Sequence, residues 1–196
     1  MTKQNSKQLP HRSKIPVEYT WRLEDIFDSD QSWNEEFEQV KMLIPKMSQY
    51  KGTLGNSAET LLAALKFQDH LLFRLGKLYT YAHMRYDQDT TNSHYQALND
   101  RAKRLYTDAA SEMSFIVPEI LTISEEKLQS FIQENHELRV YKHALDQINQ
   151  KRPHVLSEAE ESLLAQASEV MSSSANTFGM LNNADLRFPT IIDEDG

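Results

Sequence analysis

The hydrophobic positions in the middle of the chain form two helical stripes with a short polar segment between them. On both sides, apolar residues recur at spacings of three and four, as on one face of a helix. The residues are Leu72, Leu75, Tyr79, Ala82 and Tyr86 before the segment, and Tyr95, Leu98, Ala102, Leu105, Ala109, Met113 and Ile116 after it. The segment itself, 87–93, is rich in short side chains that favour turns and caps. We therefore expect a long antiparallel helical hairpin, in which Ala102, Ala109 and Ala110 allow close approach.

The stretch before the hairpin divides into an arm and a first helix. Residues 15–27 mix proline, β-branched and aromatic residues without helical period, which predicts an extended arm. The arm residues expected to dock on the following helices are Trp21, Leu23 and Phe27. Ser32 and Glu35 have capping-box spacing, so a helix should begin at 29–32, and Pro45 should kink or split it. Its expected buried face is Trp33, Phe37, Val40, Ile44, Met47 and Tyr50.

The hairpin should begin at Asn56 or Ser57 and end near Pro118, because proline disfavours helical geometry in the residue before it. Two shorter helices are predicted next, the first capped by Ser124. Their inward positions are Leu128, Phe131 and Ile132 in the first, and Leu138, Tyr141, Leu145 and Ile148 in the second. The second should stop at 151–154.

The C-terminal part predicts one more long helix and the beginning of a hairpin. Ser157 and Glu160 form a capping box before an apolar run that extends to about Asp185. Weak helix formers in that run predict that a large partner packs closely on it, so an uncovered apolar patch is expected there. Residues 188–196 have the pattern of one strand and a turn whose return strand is missing.

These elements predict an all-α fold, with long antiparallel helical hairpins in an elongated bundle and the start of a β-hairpin at the C-terminus. We divide the chain into a disordered basic tail (1–14), the arm with the long hairpin (15–120), a second helical region (121–187) and the first strand and turn of a truncated hairpin (188–196).

Composition excludes several classes of function. The 196 residues include no cysteine, so disulfides, thiolate metal sites and cysteine nucleophiles are ruled out. The formal charge is −8, with 29 acidic against 21 basic residues, which argues against a nucleic-acid partner. The nearest basic cluster, Arg101, Lys103 and Arg104, is typical of a solvated helix face. No apolar run approaches the roughly 20 residues of a membrane span, so no membrane partner is expected.

The sequence carries no recognisable catalytic motif. HExxH, GxSxG and phosphate-binding glycine loops do not occur. The seven histidines are His11, His70, His83, His94, His136, His143 and His154. The nearest metal-like spacings pair His83 with Asp87 and His143 with Asp146, but two ligands do not define a zinc site. We therefore assign no catalytic, metal or cofactor residue and leave substrate-binding residues unknown.

Two groups around the hairpin admit a functional and a structural interpretation. Five tyrosines crowd it, and peptide-binding clefts use such side chains, yet their spacing favours core positions with hydroxyls at the edge. They are Tyr79, Tyr81, Tyr86, Tyr95 and Tyr106. Arg85, Asp87 and Asp89 near the reversal are interpreted as a solvated tip with weak local ion pairs.

Four blocks of sequence point to a known family. They are YTWRLEDIF (19–27), YTYAHMRYDQDTTNSHYQALNDRA (79–102), SFIVPEI (114–120) and NTFGMLNNADLRFPTI (176–191). In this order they resemble the N-terminal third of oligoendopeptidase F, a member of the thimet-type zinc oligopeptidases. The resemblance covers nearly all of 15–196.

The resemblance implies a cytoplasmic, largely helical enzyme that cleaves short peptides inside a deep channel. In that family zinc is held by the two histidines of HExxH and a downstream glutamate, and the motif's glutamate activates water. The N-terminal helices would form one wall and lid of the channel. This chain carries none of those positions, so it should hold no cofactor and be inactive alone, with the missing C-terminal catalytic half as its partner. A free-standing helical adaptor or dimerisation module is the alternative, and an intact zinc enzyme with an unseen site is a weaker one.

Overall fold

The computed structural model describes residues 14–154 and the single positions 167, 173, 174, 177, 178 and 181. Residues 14–154 form helices joined by short turns, which confirms the all-α class. The α-helices are α1 (Asp30–Leu43), α2 (Ala58–Gln88), α3 (Ser93–Met113), α4 (Ile116–Thr122), α5 (Glu125–Glu134) and α6 (Lys142–Lys151). Short 3₁₀ helices span Val17–Tyr19, Leu23–Asp25, Ile44–Tyr50, His136–Tyr141 and Arg152–His154.

The chain separates into two compact units, residues 1–150 and 151–196. The first unit contains the arm and all the helices up to Gln150 of α6, so that only the last residue of α6, Lys151, is excluded. In the second, the described elements are that last residue and the 3₁₀ turn Arg152–His154. The predicted tail of 1–14 (apart from its last residue, Lys14), the predicted helix of 157–185 and the predicted strand and turn of 188–196 lie outside the continuous described range, and they stay predictions.

The N-terminal arm is not extended as predicted. It folds into the 3₁₀ turns Val17–Tyr19 and Leu23–Asp25, each closed by a local backbone hydrogen bond. Leu23 and Phe27 are buried as expected, but Trp21 is 78% exposed. The prediction that Trp21 docks on the following helices is therefore wrong, because the turn at Leu23 leaves its side chain in solvent.

Helix α1 begins and ends where local chemistry predicts. Ser29 is the N-cap and forms a reciprocal capping box with Ser32, three residues earlier than the Ser32–Glu35 pairing suggests. At Pro45 the helix does split, because the α-helix gives way to the 3₁₀ helix Ile44–Tyr50. The expected inward face is buried except for Tyr50, which is partly buried.

Helices α2 and α3 form the predicted hairpin, with a reversal of four residues between Gln88 and Ser93. The α3 stripe is largely confirmed, since Leu98, Ala102, Leu105 and Ala109 are buried. Tyr95 and Met113 are partly buried, while Ala110 is exposed and makes no close approach.

In the second half of α2, the predicted stripe is displaced by one position at Leu72 and Tyr79, while Leu75 and Ala82 are buried as expected. The buried residues of this half are Leu71, Leu75, Leu78, Tyr81 and Ala82. Leu72, Tyr79 and Tyr86 are only half-buried. The physical reason is that α2 contacts α1 as well as α3, so its buried face is centred between both partners and not on α3 alone.

Pro118 does not end the hairpin. Helix α3 stops earlier, at Met113, and Pro118 lies in the first turn of α4. Proline is tolerated there because the first-turn N–H groups have no intrahelical acceptor to lose. Later predictions hold: Ser124 caps α5, Asn135 ends it, and α6 stops at Lys151.

Two hydrophobic clusters stabilise the first unit, and α2 runs through both. The first gathers the arm, α1, the second half of α2, and α3 around Trp33 and Tyr81. The second gathers the first half of α2 with α4, α5 and the residues after them, around Met47 and Leu128. Met113 borders both clusters.

Candidate functional site

Polar side chains from three helices converge beside the hairpin reversal, at Asp30. The Tyr81 hydroxyl donates to Asp30 Oδ1 at 2.8 Å, and His94 Nε2 lies 2.9 Å from Asp30 Oδ2. Burial raises the pKa of Tyr81, and the hydrogen bond to Asp30 adds to this. These contacts join the start of α1, the C-terminal part of α2 and the start of α3. Both carboxylate oxygens of Asp30 are engaged, so the group acts as a structural link.

Arg85 is not the solvated tip residue that the sequence predicts. Its side chain is only 18% exposed, donates to Glu24 Oε1 at 2.8 Å, and lies over the rings of Tyr81 and Tyr95. A hydrogen bond from its own backbone lowers the pKa of Glu24, and the Arg85 guanidinium lowers it further. Arg85 therefore fastens the arm to the hairpin. Asp89, in contrast, accepts bonds from Thr91 within the reversal, as expected for a local turn.

The histidine pairs do not assemble into a metal site. His83 Nε2 lies 3.5 Å from Asp87, and its ring stacks on Tyr79, whereas Asp146 accepts from Lys142 at 2.5 Å. Within the part of the chain that the structure describes, no group of three or more histidine, aspartate or glutamate side chains could hold a metal. The residues described here therefore do not fit a zinc ion.

Three of the five tyrosines lie in the core or along a groove, and Tyr86 and Tyr95 are partly buried. Tyr81 is fully buried, while Tyr79 and Tyr106 meet edge to face, with ring centroids 6.4 Å apart. Together with Lys103 and Thr107 these two line a groove of about 390 Å³ on the hairpin. The structural interpretation holds for Tyr81, and the groove leaves Tyr79 and Tyr106 available for contact.

The arm and α2 enclose two further clefts. The first, of about 410 Å³, is lined by Tyr19 and Trp21 from the arm and by Met84 from α2. The second, of about 400 Å³, is lined by Ile26 and by Phe73. Sequence reasoning missed both, although the absence of a helical stripe in residues 15–27 was a signal that the arm does not pack as a helix.

None of the described helices has both the length and the apolar content needed to cross a membrane. The 31-residue α2 is the longest of them, but ionic and polar side chains interrupt its apolar residues.

Known proteins resemble this chain in both sequence and fold. Residues 119–188 match the family model described as Oligopeptidase F. The chain is 62% identical to oligopeptidase PepF of Bacillus subtilis (strain 168), over 97% of this chain and 28% of that protein. The resemblance of this chain to the N-terminal region of oligoendopeptidase F is confirmed. It is also 38% identical to the group B oligopeptidase PepB of Streptococcus agalactiae, over 95% of this chain and 31% of that protein.

Two solved structures share the fold of this chain. The oligoendopeptidase-F of Enterococcus faecium superposes with a TM-score of 0.65 and 40% identity, over 83% of this chain and 32% of that one. A putative peptidase of Chlamydophila abortus superposes with a TM-score of 0.71 and 25% identity, over 96% and 32%. The chain thus spans less than a third of the relatives' lengths, and it corresponds to the N-terminal region of the B. subtilis protein.

Proposed function

We propose that this chain is the non-catalytic N-terminal helical region of a cytoplasmic zinc oligoendopeptidase that hydrolyses short peptides. The observation that carries the proposal is the 62% identity to the B. subtilis oligopeptidase over 97% of the chain. Because the identity extends over nearly the whole chain, it supports the same role for this region in both proteins.

Within the parent enzyme we assign the region to one wall and lid of the substrate channel. A rigid helical hairpin suits that role, because α2 and α3 are held against α1 by a shared hydrophobic cluster and by the contacts of Asp30. The zinc ligands would come from the remainder of the polypeptide, since the described residues offer no set that fits.

A chimaera tests the proposal. In it, this chain replaces the matching region of the B. subtilis oligopeptidase. We expect the chimaera to cleave a short quenched fluorescent peptide and to lose that activity when a chelator is added. A folded protein that contains a sequence similar to that of the peptide should remain intact. The 196-residue chain alone, supplied with zinc, should give no turnover above a blank.

Two outcomes would contradict the proposal. One is chelator-sensitive peptide cleavage by the isolated chain, which would place a metal site within it. The other is a chimaera that has native-like circular dichroism but cleaves no peptide. The assignment of the region to the channel lid is tested by substrate length. If the region limits access to the substrate channel, the chimaera should prefer short peptides over a long unfolded protein as strongly as the parent does.

A further inference from the structure

One surface of the first unit exposes large apolar side chains that the fold does not use. The two clefts between the arm and α2 lie end to end, because their α2 residues are spaced three or four apart on one face of the helix. Those residues are Phe73, Gly76, Thr80, Met84 and Asp87. We define the arm face as this stripe of α2 together with arm residues 15–26.

The exposure on the arm face is unusual for aromatic side chains. Val17 is 85% exposed, Tyr19 76%, Trp21 78% and Phe73 69%. Single exposed apolar residues are ordinary, but several large ones on the arm and on the neighbouring stripe of α2 indicate an interaction surface. Gly76 leaves the floor of the second cleft open, since a Cβ there would meet no atom within 4 Å.

The arm is anchored to the fold after Trp21, and a local hydrogen bond closes the turn before it. Leu23 and Phe27 are buried in the first cluster, and Glu24 is bound to Arg85. Before Trp21, Thr20 Oγ1 donates to the Val17 carbonyl at 2.7 Å and closes the turn. The aromatic residues are therefore displayed by a fixed backbone.

Charged groups border the apolar residues of the arm face. Arg22 pairs with Asp25 at 3.1 Å, Lys77 lies over the Phe27 ring, and Asp87 lies at the far end of the stripe. An apolar centre rich in tryptophan and tyrosine, bordered by charged groups, is the usual composition of a protein–protein contact.

We propose that the arm face is the surface on which the remaining polypeptide of the parent peptidase docks. This inference rests on the proposed function. The chain matches only 28% of the B. subtilis protein and 32% of each solved relative, so most of each relative's polypeptide lies outside the match. That remainder is covalently attached in those proteins, so its effective concentration at the arm face is high.

Two valines of equal exposure provide a matched test. Val17 on the arm face is 85% exposed, and Val140 in the 3₁₀ helix before α6 is 83% exposed. The chain has no cysteine, so Val17→Cys or Val140→Cys introduces its single thiol. The rate of maleimide labelling at each site is measured by mass spectrometry, in the isolated 196-residue chain and in the B. subtilis chimaera.

We expect both thiols to react equally fast in the isolated chain, and the Val17→Cys thiol to react at least about tenfold more slowly in the chimaera. The Val140→Cys thiol should keep its rate. Equal labelling of Val17→Cys in both proteins would overturn the proposal. So would protection that already occurs in the isolated chain and rises with protein concentration, because the occupant would then be a second copy.

Peptide cleavage by the same chimaera separates the two proposals. A chimaera that cleaves peptide while Val17→Cys remains reactive refutes the docking surface and leaves the proposed function standing. If the substituted chimaera does not fold, cysteines at the two aligned positions of the B. subtilis oligopeptidase itself give the same comparison, with the same two outcomes.

Discussion

At the scale of single residues, Glu119 stabilises a turn distant in sequence. Its two carboxylate oxygens accept from the backbone N–H groups of Gly52 and Leu54, both at 2.7 Å. Gly52 has a φ of +78°, a conformation that residues with a Cβ rarely adopt. One carboxylate on α4 thus satisfies two donors in the turn that leads into α2.

We predict that Glu119→Ala lowers the free energy of unfolding by about 2–3 kcal/mol, since two backbone donors lose a charged acceptor. Urea denaturation, monitored by circular dichroism, measures this loss in the free energy of unfolding. Glu112→Ala, on the exposed face of α3, is the control and should change stability by less than about 0.5 kcal/mol. Equal effects of the two substitutions would show that the turn does not depend on this carboxylate.

Tyr141 gives a pH-dependent prediction at the same scale. Burial raises its pKa to about 12, and the hydrogen bond that its hydroxyl donates to Asp69 at 2.6 Å adds to this. The folded state holds the phenol proton more tightly than the unfolded state does. The stabilisation is therefore complete below the ordinary tyrosine pKa of about 10 and is lost as pH rises towards 12.

We expect the unfolding midpoint of the native chain to fall between pH 10 and 12 more steeply than that of Tyr141→Phe, which has no proton to lose. Tyr106→Phe, at a partly exposed position on α3, controls for the loss of any hydroxyl. Parallel pH profiles for the native chain and Tyr141→Phe would exclude a contribution from this bond.

At the scale of elements, helix starts were predictable because caps are local chemistry. Ser57 and Ser124 accept from backbone N–H groups three residues ahead, as their positions before apolar runs indicate. Pro118 and Trp21 were mispredicted because their placement depends on distant contacts. The same limit applies to the Asp30 site, where Tyr81 and His94 lie 51 and 64 residues away and no periodicity connects them.

A planar ion pair adds to the contacts between α1 and α2. Arg74 donates through Nε and a terminal nitrogen to the two oxygens of Glu36 at 2.6 and 2.7 Å, and also to Gln39 at 2.8 Å. Both charged side chains are less than a quarter exposed. The hydrogen bond from Arg74 lowers the pKa of Glu36 below its ordinary value of 4.5.

We predict that Arg74→Lys lowers the free energy of unfolding at neutral pH by about 1–2 kcal/mol, because an ammonium cannot reproduce the two-point contact. The contribution of the Glu36 carboxylate is present above its ordinary pKa and is lost as pH falls, so the difference from the native chain should shrink in acid. Denaturation at several pH values measures this. Arg104→Lys, exposed on α3, is the control, and a loss there as large as at Arg74 would contradict the assignment.

At the scale of the whole first unit, the two hydrophobic clusters share α2 as a common wall. Leu71, Leu75 and Leu78 of α2 belong to the first cluster, and Leu61 and Leu65 belong to the second. A helix cannot lose its packing over one half without weakening the other, because helix formation is cooperative along its length. Residues 14–150 should therefore unfold as a single cooperative unit.

Leu128 and Trp33 make this cooperativity measurable, since each is fully buried and they lie in different clusters. Leu128→Ala should cost about 2–5 kcal/mol through lost burial and a cavity. With Trp21→Phe as background, fluorescence reports Trp33 alone, because the chain has two tryptophans. We expect the Trp33 transition to shift to lower denaturant by the same amount as the circular-dichroism transition. If Leu128→Ala leaves the Trp33 midpoint unchanged while helical signal is lost earlier, the clusters unfold independently, and α2 does not couple the parts of the proposed channel wall.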